Sequence, residues 1–119
     1  MILKQGLTLQ FVLTAAKTTN DFDLSIDYVP WNNANEALPP APFRTASNGT
    51  TAVTLLAAPS GIVIAHEPVG ISCYNADTAD KTAVIQTTDG TTTRLEIKIL
   101  VPTLKTLRWN RDNDFYVTP

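Results

Sequence analysis

The chain is short of nearly everything that catalytic and metal chemistry needs. Its 119 residues include one cysteine, one histidine and one methionine. A lone Cys73 excludes an intrachain disulfide, and Cys73 with His66 cannot supply the three or four ligands of a structural zinc site. Charge is scarce as well. Asp, Glu, Lys and Arg make up 17% of the chain, where about a quarter is usual for a soluble domain. The nine Lys and Arg are scattered and the net charge is -2, so no basic stripe exists to neutralise phosphates and nucleic acid is not an expected partner. No apolar run reaches the roughly 18 residues of a spanning helix, so no membrane partner is expected either. Phosphate-binding loops, dinucleotide fingerprints and EF-hand loops are missing, and no cofactor is expected.

What is present is period-2 alternation, from one end to the other. Leu7, Leu9, Phe11 and Leu13 alternate with Thr8, Gln10 and Val12, and Phe22, Leu24, Ile26 and Tyr28 alternate with Asp23, Ser25 and Asp27. Leu95, Ile97, Ile99 and Val101 alternate with Glu96, Lys98 and Leu100. Successive strand side chains point to opposite faces, so each segment is expected to have a dry and a wet side. The opening residues 1–17 also carry the Lys, apolar stretch and small residues of a signal peptide, but Gln5, Thr8 and Gln10 interrupt that stretch, and the strand reading is preferred.

Weaker β-branched runs predict strands over residues 52–57, 62–65, 69–74 and 82–88, with short ones over 104–108 and 115–117. Turn dipeptides punctuate them: Asn48-Gly49, Asp89-Gly90 and Pro59-Ser60-Gly61. Residues 75–81 (NADTADK) read as a long hairpin loop, and residues 110–113 separate the last two strands. The expectation is a single all-β domain over residues 1–119: an antiparallel β-sandwich or jelly roll of about seven or eight strands, with no helix longer than a turn.

Residues 30–47 (PWNNANEALPPAPFRTAS) break the pattern. They lack periodicity and hold half of the chain's eight prolines. A structureless connection of this length is expected to be functional or disordered. Pro39, Pro40 and Pro42 favour a stiff, extended path, on which Trp31, Leu38 and Phe43 stand as apolar anchors. Two readings follow: an arm that grips a neighbouring protein, or a loop that caps an open end of the sandwich with Trp31.

Candidate chemistry is thin. His66 has no nucleophile elbow to serve. Asp21, Asp23 and Asp27 on one strand face, and Asp77 with Asp80 in the long loop, are weak cation candidates, set against the ordinary role of strand charges in solubility and edge protection. Trp31 and Trp109 offer rings for stacking on a sugar or packing at an interface. Neither a catalytic residue nor a metal site is expected.

Longer words carry a resemblance. Residues 48–61 (NGTTAVTLLAAPSG), 71–86 (ISCYNADTADKTAVIQ) and 90–117 (GTTTRLEIKILVPTLKTLRWNRDNDFYV) resemble small virion-associated structural proteins of tailed bacteriophages. In that group a "TTAVT…AAP" strand precedes a "YNADT" hairpin, a "GTT" hairpin and a closing "L…GFYV" segment. Residues 14–29 (TAAKTTNDFDLSIDYV) resemble the opening of the same group. The chain departs from the pattern in residues 61–69, which lack a basic residue, at Pro102, and most of all in residues 30–47. The resemblance implies a virion protein without enzymatic activity. A capsid decoration (cement) protein is favoured, located on the capsid surface, bridging major capsid protein subunits and self-associating as a homo-oligomer, a trimer first. The alternatives are a tail or fibre-attachment component, or a carbohydrate- or receptor-binding module. The expected protein interface is Trp31, Leu38, Pro39, Pro40, Phe43 and Trp109.

Overall fold

A computed structural model describes residues 1–118. Ten strands form, with no helix among the described residues: β1 Leu3–Lys4, β2 Thr8–Leu13, β3 Asp23–Asn32, β4 Ala41–Ala46, β5 Val53–Leu56, β6 Val63–Tyr74, β7 Lys81–Thr88, β8 Thr93–Val101, β9 Thr106–Asn110 and β10 Asp114–Thr118. They pair antiparallel into two sheets. The first runs β10-β9-β6-β3-β4, with β1 added to β6, and the second runs β5-β2-β7-β8. The fold is therefore an all-β sandwich, as the alternation implied.

The dry faces meet as expected. Leu9, Phe11 and Leu13 of β2 and Ile85 of β7 oppose Leu24 and Ile26 of β3, Ile71 and Cys73 of β6, and Leu107 and Trp109 of β9, all buried in one cluster. Phe11 and Phe22 pack ring to ring at 5.4 Å between centroids. Burying each large side chain of this kind contributes about 1.5–3 kcal/mol.

Four local expectations are corrected. Half of residues 30–47 is strand: β3 continues through Pro30 and Trp31 to Asn32, and β4 pairs with β3 from Asp23↔Ala46 to Tyr28↔Ala41. Residues 33–40 and Ser47 lie outside the strands. β4 is an edge strand, half-exposed or exposed throughout, so it needs no apolar alternation, and its Pro42 costs no ladder bond if the missing N–H faces solvent.

Residues 75–81 do not close a hairpin, because they carry the chain from β6 in the first sheet to β7 in the second. The runs over 62–65 and 69–74 are one strand, β6, bent by a pairing irregularity opposite Asp27 and Tyr28. Finally, Leu95 is 62% exposed rather than inward. Ile85 pairs with Ile97 but Gln86 pairs with Leu95, leaving Glu96 as an extra residue. Such a bulge shifts the alternation by one and turns Leu95 outward.

Candidate interaction surfaces

The residues singled out in the sequence do not converge on one surface. Trp31 lies outside the core cluster, half-buried in β3, where its Nε1–H donates to Glu67 Oε1 at 3.2 Å. It caps no open end. Leu38 is half-buried and held by its N–H to the Pro30 carbonyl at 2.8 Å, while Pro39 and Pro40 are exposed. Phe43 pairs opposite Ile26, on the opposite side of the sheet from Trp31, and is 41% exposed because β4 sits at the edge. Trp109 is a core residue. Its ring packs on Phe115 and its Nε1–H donates to Asp114 Oδ1 at 3.2 Å, so it offers no open stacking platform.

The ionisable candidates are occupied by the protein itself. His66 lies with Nδ1 2.9 Å from the Ala57 carbonyl and its ring 4.7 Å from Tyr28. Burial lowers its pKa, against the pull of the Ala57 carbonyl, so the ring is neutral at pH 7. Asp21 accepts from Lys17 Nζ, the Gly49 amide and Ser47 Oγ, and the Lys17 bond leads in holding its carboxyl below the usual range. This turns it away from Asp23 and Asp27. Asp77 is fully buried, and its carboxylate accepts the amides of Thr18, Thr19, Asn20 and Thr78. Asp80 accepts the amide of Thr103 at 2.9 Å. No group of three His, Cys, Asp or Glu is arranged to hold a metal ion among the described residues.

The strand edges are poor docking strips. β4 carries Pro42, β5 has four residues and β10 five. β8 is long, but the Glu96 bulge and the charges of Arg94 and Lys98 blunt it. Each is a recognised means of discouraging strand addition. Beside β8 the two sheets part into an open groove of about 780 Å³. Apolar Leu7, Ile97 and Phe115 line it together with Arg94 and Arg111 and the carboxylates of Glu96, Asp112 and Asp114, so charges of both signs meet there.

The two outer sheet faces differ sharply in charge. The first sheet turns Asp23, Asp27, Arg44, Glu67 and Arg108 outward, as the register with inward Leu24, Ile26 and Leu107 requires. The second sheet turns out Thr8, Gln10 and Val12 from β2, Thr82, Val84 and Gln86 from β7, and Leu95, Lys98 and Leu100 from β8. Lys98 within it and Glu96 at the β8 bulge are the charges this register leaves on or beside this face among the described residues. Gln86 Nε2 donates to Gln10 Oε1 at 3.0 Å, Val84 is packed down to 9% exposure, and Leu95 and Leu100 stand 62% and 53% exposed.

Sequence reasoning missed this face because it sorted residues strand by strand. The signal was in the wet halves of 8–12 and 82–88, which hold Thr, Gln and Val where charged residues are usual. Comparison of the chain with family models, with curated proteins and with solved structures returned no match.

Proposed function

We propose that this chain is a structural component of a tailed-phage particle, a capsid decoration protein that docks through the outer face of its second sheet. One observation carries the docking role: a broad strand face of Thr, Gln, Val and Leu that is poor in charge, with Lys98 within it and Glu96 at the β8 bulge. Depletion of charge at the centre of a patch is the compositional mark of a protein interface. Exposed Leu95 and Leu100 supply apolar anchors, and desolvating Thr and Gln costs far less than desolvating charge. The charged first sheet then faces solvent. The assignment to a phage particle rests on the sequence resemblance described above.

Quantitative mass spectrometry of purified particles tests the reading, with copy number taken relative to the major capsid protein. Hundreds of copies are expected for a decoration protein. A dozen or fewer moves the chain to the tail, and none at all ends the particle reading. The double variant Leu95→Glu, Leu100→Glu tests the face. Both residues are more than half exposed, so the variant is expected to melt like the parent and to lose particle occupancy. Full occupancy with a normal melt would place docking elsewhere.

A further inference from the structure

Gly70 stands in the middle of the longest strand, flanked on both sides by paired strands, where glycine is a poor choice. It does not need to be glycine for its own backbone. It is absent from the positive-φ glycines, and a Cβ built there would meet only the Trp109 carbonyl oxygen, at 3.9 Å, an ordinary contact. What its missing side chain does is open a notch of about 310 Å³ in the outer face of the first sheet.

The register ranks the surrounding residues across four strands. Asp27, Gly70 and Asn110 form one rank on β3, β6 and β9, and Ser72, Arg108 and Tyr116 form the next on β6, β9 and β10. Asn110 Nδ2 donates to Tyr116 Oη at 3.3 Å, which leaves the phenol hydrogen free to donate outward. Neither Asp27 nor Arg108 makes a side-chain hydrogen bond or ion pair among the described residues, although they carry opposite charges on one face.

We propose that this notch binds a single neutral saccharide ring. Its volume lies at the small end of ligand sites, which begin at roughly 300 Å³. It presents a carboxylate acceptor on one side, a guanidinium donor on the other, and the hydroxyls of Ser72 and Tyr116, which can donate and accept, while Asn110 Oδ1 is taken by the amides of Asp112 and Asn113. Asp27 and Arg108 sit two strand spacings and one rank apart, roughly 12 Å at the backbone, on either side of Gly70. A sugar ring with hydroxyls around its rim gives protons to Asp27 while accepting from Arg108. With one charge of each sign the site has no net attraction for a phosphate or a polyanion.

The site is separate from the charge-poor face of the second sheet, so the proposal stands or falls independently of the particle assignment. Amide-resolved NMR titration of the intact chain tests it, using the methyl glycosides of glucose, galactose and mannose, with glycine and inorganic phosphate as controls. Saturable shifts centred on the Gly70, Ser72 and Asn110 amides are expected with at least one glycoside. Gly70→Val is the decisive variant: it raises a strand-favouring side chain from the floor of the notch between Asp27 and Asn110, so it is expected to melt at or above the parent temperature while losing the shifts. Asp27→Ala, at an exposed position, is expected to weaken binding by about tenfold or more, the loss of a hydrogen bond to a charged acceptor. The proposal is overturned if no glycoside shifts these amides, if only glycine or phosphate does, or if a folded Gly70→Val variant binds as the parent does.

Discussion

The Asp77 carboxylate accepts the backbone N–H of Thr19 at 2.7 Å, across 58 residues of chain. Both residues lie in connections that cross from one sheet to the other, so this contact ties the two crossings together at one end of the sandwich. The buried Asn75 extends the tie by donating to the carbonyls of Ala79 and Val101 and accepting the Asp77 amide. Thr103 completes it, with its hydroxyl donating to the Asp77 carbonyl.

Asp77 makes stability pH-dependent in acid. Burial pushes its carboxyl pKa up, but the amides of Thr18, Thr19, Asn20 and Thr78 outweigh this and hold it well below the ordinary 3.8. A depressed folded-state pKa means the unfolded chain takes up the proton first, so the contribution is complete above the ordinary value and is lost as pH falls below it toward the folded value. Asp77→Asn is therefore expected to lower the melting temperature at pH 7, with the gap to the parent closing below pH 3.8. A gap that stays constant with pH would mean the charge of Asp77 contributes nothing to the tie.

Leu104 holds a left-handed backbone, φ 61, while 64% exposed. Its amide is committed to the Asn75 carbonyl at 2.9 Å, which fixes the turn. The left-handed conformation costs an ordinary residue about 1–2 kcal/mol and asparagine less. Leu104→Asn is expected to stabilise the domain by about 1 kcal/mol, read from denaturant midpoints, and a lower midpoint would show that the side chain itself is needed.

Phe11 and Trp31 separate core from periphery. Phe11→Ala removes a fully buried ring against Phe22 and is expected to cost about 3–5 kcal/mol. Trp31→Ala removes one indole bond to Glu67 outside the core cluster and is expected to cost about 1 kcal/mol in the isolated domain. Chemical denaturation of both variants checks the contrast. Equal losses would mean that Trp31 supports the fold as strongly as the core does.

Cys73 is fully buried in β6, and burial pushes its thiol pKa far above the usual range. The thiolate is the reactive form, so a disulfide reagent is expected to leave the native protein unmodified and to label one thiol on unfolding. Rapid labelling under native conditions would reveal local opening of β6.

The alternation in the sequence determined the all-β class and the inward residues of β2 and β3, because burying one face of a strand requires an apolar residue at every second position. What lay beyond it were the features set by pairing. β4 went unread because an edge strand exposed on both faces carries no periodic constraint. Leu95 was read as inward because a bulge is a property of two strands in register and leaves no mark on either alone.

The role of residues 75–81 followed from which sheet the next strand joined. The two surfaces of interest were decided in the same way. The charge-poor face combines residues of β2, β7 and β8, and the notch at Gly70 combines four strands from distant parts of the chain. Alternation says which residues leave the core, but only the strand order says which of them become neighbours outside it.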